Sequence, residues 1–134
     1  MSHGKLTSLT ATALFVVATM ALPVSRAAGV AGVGEWRGVV RSDTGLVRAT
    51  LVRKGDRLDI HFGEPHNCRI PAQLLGEENE AARFRFGPSS NGGRYCDSLY
   101  PGELRLSDEG DGVRLVFARA AHPWTGILTV IAEP

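Results

Sequence analysis

Arg57-Leu58-Asp59-Ile60-His61-Phe62 alternates polar and apolar side chains without a break. That two-residue period marks an extended strand, which sends successive side chains to opposite faces. Leu58, Ile60 and Phe62 share the core face; Arg57, Asp59 and His61 share the wet one. The same period recurs on both sides of this stretch. Trp36, Gly38 and Val40 share a face in a first strand, and Val47, Ala49 and Leu51 in a second. Further on, Ala82, Phe84 and Phe86 oppose Arg83 and Arg85, Leu104 and Leu106 oppose Glu103 and Arg105, and Val113, Leu115 and Phe117 oppose Arg114. The last run, Thr125 to Ile131, is apolar on both faces, as in a strand covered twice or one that pairs at a closing seam.

Turn chemistry separates these runs at short intervals: Ser42-Asp43-Thr44-Gly45, Lys54-Gly55-Asp56, Gly76-Glu77-Glu78-Asn79, and Ser107 to Gly112. Glycine supplies positive φ, and Asp or Asn side chains support tight turns through the local backbone. Connections this short make neighbouring strands antiparallel. Cys68 to Ala82 fits a helix through Ile70, Leu74 and Leu75, but Pro71 and Gly76 oppose one, so a fourth strand is expected there. The total is about eight strands in a simple meander, and short twisted strands in that number tend to close on themselves. A small up-and-down antiparallel β-barrel is the predicted fold, with a two-sheet β-sandwich as the alternative. Closure also removes exposed sheet edges.

The chain of 134 residues begins with the three-part layout of a secretory signal over residues 1–27. Lys5 gives the positive start, Leu9 to Leu22 is a mostly apolar run of about 14 residues, too short to span a bilayer, and Ser25 and Ala27 place small residues before a cleavage at Ala28. Residues 28–34, all alanine, glycine and valine, read as a flexible lead-in, and 35–134 as a single domain. The part after the leader is about 107 residues, enough for one core and not for two. Loss of Lys5 and Arg26 leaves 13 basic against 14 acidic residues. A balance so near zero gives no electrostatic reason to expect nucleic acid or anionic lipid as partner, and no stable membrane insertion is expected once the leader is removed.

An exported chain with two cysteines is most simply read as carrying a disulfide, Cys68–Cys96. Closing a loop of roughly 29 residues removes on the order of 3–4 kcal/mol of freedom from the unfolded chain. The competing reading is a metal site of His61, His66 and Cys68, whose intervals do not match the usual paired ligand spacings. No metal or cofactor is expected.

Catalytic constellations are poorly supported. Ser89 or Ser90, His122 and Asp97 supply the residue types of a hydrolytic triad, without a nucleophile elbow around the serines. Glu64, Asp97 and Glu103 supply carboxylates for glycoside chemistry, as any acidic surface would. The expectation is a protein that is not an enzyme. His61 reads as a surface residue of its strand, His66 and His122 as loop residues next to Pro65 and Pro123.

The loop Ser89-Ser90-Asn91-Gly92-Gly93-Arg94-Tyr95-Cys96-Asp97-Ser98-Leu99-Tyr100-Pro101-Gly102 combines glycines, both tyrosines and a cysteine. Tyrosine and arginine recur at binding hot spots, and a crosslink lowers the ordering cost of binding. Arg94, Tyr95, Asp97, Leu99 and Tyr100 are therefore candidate contact residues; the competing reading has Tyr95 and Leu99 cap the barrel while Cys96 fastens them. Trp36 and Trp124, which open the first and last strands, are expected to pack near one another at one end of the core.

Asn91-Gly92-Gly93-Arg94-Tyr95 followed by Pro101-Gly102-Glu103-Leu104 resembles the Ser-Gly-x-x-Tyr and Lys-Gly segments of periplasmic lysozyme-inhibitor barrels, the segments that enter the target's cleft. The likeness covers about a dozen residues. Pro101 replaces the lysine and the serine has no aligned counterpart, which puts that cleft-entering chemistry in doubt here. The opening Trp36-Arg37-Gly38 is similar to that of lipocalin and avidin-like barrels. Two functions follow as expectations. One is an exported protein-binding module, such as an inhibitor or immunity-type protein acting on a cell-envelope or secreted enzyme through residues 89–102, in the periplasm or the medium. The other is a carrier of a small apolar ligand, with Phe62, Phe84, Phe86 and Phe117 lining the interior.

Overall fold

The computed structural model of the protein describes residues 3–4, 10–18 and 32–131. Most of the leader, its cleavage point and most of the lead-in lie outside the described residues. Eight strands follow in order: β1 (Val33–Ser42), β2 (Gly45–Lys54), β3 (Arg57–Phe62), β4 (Cys68–Glu78), β5 (Ala81–Phe86), β6 (Glu103–Glu109), β7 (Gly112–Arg119) and β8 (His122–Val130). Each pairs antiparallel with the next, and β8 pairs with β1, so the sheet is a closed barrel. Among the described residues one short helix, α1 (Arg94–Asp97), lies between β5 and β6.

The ambiguous segment 68–82 is strand, with a register shift between Leu74 and Gly76 that absorbs one irregular position. Strand β1 begins at Val33, inside the expected lead-in, where Val33 and Gly34 already pair with Lys54 and Arg53. The doubly apolar last run closes the barrel against β1. Gly126 faces Val40 across that seam, where a Cβ would run into the Val39 carbonyl; a Cβ on Gly38 would lie 2.7 Å from the Ile127 carbonyl oxygen. The strands approach this closely only because both positions lack side chains.

Alternation places one apolar residue in two inside the barrel. Val47, Ala49 and Leu51 of β2 and Leu58, Ile60 and Phe62 of β3 are all buried, and the same parity brings Arg53 inward, 2% exposed. Its Nε donates to the Gly55 carbonyl at 2.9 Å, its guanidinium meets Glu77 at 3.5 Å, and it lies 5.2 Å over the Phe84 ring. A buried cation is tolerated because hydrogen bonds, a carboxylate and a ring face replace its water.

The two tryptophans do not meet. Trp36 is opposite Val130 and folds over Gly34, at the end where β1 begins, whereas Trp124 is opposite Phe117 at the end where β8 begins. Antiparallel strands start at opposite ends, so residues that open both cannot share one end. Each indole fills its own end of the core.

Candidate functional site at the stapled mouth

The mouth that holds Trp124 also collects the β3–β4 connection and the long loop between β5 and β6. That loop is tied down from its first residues. The Gly87 amide donates to the Pro71 carbonyl at 2.8 Å and the Ser90 amide to the Arg69 carbonyl at 2.9 Å, while the Asn91 side chain accepts from the Arg69 amide at 2.8 Å. Ser89 donates its hydroxyl to backbone carbonyls of Arg69 and Gly92. Gly93, at φ 100°, then turns the chain into α1. That value lies in the region glycine occupies at no steric cost.

Within the helical turn, Tyr95, Cys96 and Leu99 fall on one side, and that side faces into the barrel. Cys96 is bonded to Cys68, the first residue of β4, with Cα atoms 6.1 Å apart. Tyr95 and Leu99 are each 2% exposed. Of the five candidate contact residues, these two are therefore core residues, the capping role that competed with contact in the sequence. The helical spacing of Tyr95, Cys96 and Leu99 was the available signal, hidden in a helix of only four residues.

Tyr95 plugs the mouth. Its ring is edge-on to Phe62 at 4.9 Å and to Trp124 at 5.6 Å, stacks on His66 at 4.2 Å, and lies 4.7 Å below the Arg119 guanidinium. Arg119 Nε donates to Ser98 Oγ at 2.7 Å, and the Ser98 hydroxyl in turn donates to the Tyr95 carbonyl at 2.7 Å. Strand β7, the β3–β4 connection and α1 thus converge on one ring. Burial pushes the Tyr95 phenol well above its ordinary value of 10, with Arg119 opposing the rise. The Tyr95 hydroxyl and the Trp124 indole nitrogen are buried with no hydrogen-bond partner among the described residues. His66 is held below the ordinary histidine value of 6.5, first by desolvation and then by the charge of Arg119. The sequence drew no attention to Arg119 and read His66 as a loop residue, because the ring they share is reached only through the fold.

Arg94, Asp97 and Tyr100 stay on the outside of the loop. Tyr100 is 50% exposed and forms one side of a groove of about 360 Å³. Pro71, Leu75 and Gly87 make its apolar floor, and Arg57 and Arg85 flank it. Arg94 and Asp97 have no ion-pair partner among the described residues.

The residue types of the hydrolytic triad are scattered. His122 holds Asp43 at 3.0 Å, Ser89 binds carbonyls, and Asp97 stands alone on α1. His61 bonds to Asn67 at 2.9 Å on the outer face, and the Cys68 sulfur is consumed in the disulfide. A disulfide is consistent with an oxidising compartment, and among the described residues no helix is long and apolar enough to cross a membrane.

The features together define a closed eight-stranded antiparallel barrel whose mouth is plugged by a disulfide-fastened loop. Comparison with protein-family models, with curated proteins and with solved structures gives no match.

Proposed function

We propose that the protein is an exported protein-binding module, an inhibitor or immunity-type protein of the periplasm or the medium, acting without catalysis of its own. The observation that carries this reading is Tyr100. It is a half-exposed aromatic on a loop fixed covalently and by hydrogen bonds, standing over an apolar groove with arginines at its rim. A rigid aromatic anchor beside arginine is the composition of a binding hot spot, and a loop held in one shape loses little entropy on docking. The contact surface is thereby narrowed to the outward side of the loop, Arg94, Asp97 and Tyr100, together with Pro71 and Leu75. The leader sequence and the disulfide support export.

The carrier reading has less support. Phe62, Phe84, Phe86 and Phe117 are buried, with Phe62 and Phe86 packed edge-on against Phe117 at 5.8 and 5.9 Å, and Trp36 and the Tyr95 plug occupy the two ends. The ligand's place is taken by side chains.

The test is capture from envelope and culture-medium extracts by the immobilised protein, compared with Tyr100→Ala. The substitution is expected to weaken capture of a specific partner by about tenfold or more, the loss typical of a hot-spot aromatic. Equal capture by both forms would remove Tyr100 from the contact and overturn the reading.

A further inference from the structure

Ion pairs are unevenly spread over this barrel. Around β3 and β5 to β7 four arginines meet carboxylates: Arg57 with Asp59 at 3.1 Å, Arg83 with Glu78 at 3.1 Å, Arg85 with Glu103 at 3.7 Å and Arg114 with Glu109 at 3.2 Å. On the wall of β1, β2 and β4 the pattern changes. Arg37, Arg41, Arg48 and Arg69 are exposed and meet no carboxylate among the described residues.

Register joins these four into one patch. Arg37, Thr50, His61 and Arg69 form a row across four strands, a span of roughly 14 Å at the spacing of paired strands. Arg48 and Arg41 continue the patch toward the mouth, opposite Val39 and the exposed Leu46. At the other end of the barrel, the three hairpin tips expose Asp56, Glu80, Asp108 and Asp111, also without a cationic partner among the described residues. Glu35 is the one unpaired carboxylate on the wall itself, two residues from Arg37 on the same face of β1; among the described residues Glu64, Asp97, Arg94 on the adjoining loop and Arg105 on the far wall are also without an ion-pair partner.

One molecule thus carries an excess of unmatched cations on its side, the four arginines and Lys54 against Glu35, and four unmatched anions on its end. A closed sheet holds the two surfaces apart, so they cannot neutralise each other within one barrel. We propose that the occupant of the Arg37–Arg41–Arg48–Arg69 wall is a second copy of this chain, seated by its acidic hairpin tips. The charges are complementary in sign and number, and a net charge near zero leaves little long-range repulsion between copies. Different patches meet, so the contact is heterologous, and each added copy leaves one wall and one set of tips unused; association therefore proceeds beyond a dimer.

Sedimentation over a concentration series tests this at about 10 mM salt, where the screening length is about 30 Å, and at about 1 M, where it is about 3 Å. The expected result is a mass that rises with concentration at low salt and stays monomeric at high salt. Arg37→Glu with Arg69→Glu, and separately Asp108→Lys with Asp111→Lys, should each weaken association by about tenfold or more. Mixing the two variants should restore it, because reversed wall then meets reversed tips; that recovery also shows that both variants are folded. A monomer at every concentration in low salt overturns the proposal, as does a mixture that fails to associate. Binding of poly-glutamate to the wall without self-association would equally overturn it, by assigning the wall to a foreign acidic partner.

Discussion

Tyr95 and Tyr100 sit on one loop and face opposite ways, and their surroundings assign them different work. Tyr95 gathers Phe62, His66, Trp124 and Arg119 around its ring, whereas Tyr100 offers half its surface to solvent. His66 makes the plug sensitive to pH. The fold favours its neutral ring, because burial and Arg119 both oppose the charge and hold it below 6.5. The unfolded chain takes up that proton near 6.5, so the stability His66 contributes is complete above that value. It is lost as the pH falls below 6.5, until the ring protonates in the folded protein as well. Melting measured from about pH 7 down to about pH 5 should therefore fall more steeply for the native protein than for His66→Gln. Parallel slopes would show that the stacking leaves the imidazole unperturbed. The sequence places His66 in a turn, correctly, and has no means of showing the ring beneath it: a contact between a turn and a loop 29 residues on has no local period.

Among elements, the strands were legible and the helix was not. Period-2 alternation is enforced wherever a strand has one wet and one dry face, so Leu58-Asp59-Ile60-His61-Phe62 announces its state from its own residues. Pro71 and Gly76 tipped the fourth segment from helix to strand, and Gly76 sits at the register shift that the strand contains. The four-residue helix carries no such repeat; Gly92 and Gly93 signal only that the chain turns. What fixes it is the bond from Cys96 to the start of β4. Replacing both cysteines by alanine should lower unfolding free energy by about 3 kcal/mol in denaturant titration, since the unfolded chain regains the freedom of the closed loop. A loss under about 1 kcal/mol would mean that the hydrogen bonds from Arg69 to Ser90 and Asn91 hold the loop without the crosslink.

For the whole molecule, closure could be anticipated from the number of strands and their short connections, and the sheet does close into a barrel. Two consequences of closure were harder to see. Trp36 and Trp124 belong to neighbouring strands but to opposite ends, which follows from antiparallel direction and not from adjacency. The separation of unpaired arginines from unpaired carboxylates is invisible in a chain whose net charge is near zero, and appears only once strands and tips are assigned to wall and end. The central claim is that closure divides the stapled loop into a plug inside the barrel and a contact surface outside it. Side-by-side melting of Tyr95→Ala and Tyr100→Ala tests that division most directly. Loss of a buried aromatic ring costs about 3 kcal/mol or more, so Tyr95→Ala should melt more than about 10 °C below the native protein, and Tyr100→Ala within about 3 °C of it. Equal losses, or a larger loss for Tyr100→Ala, would contradict the account.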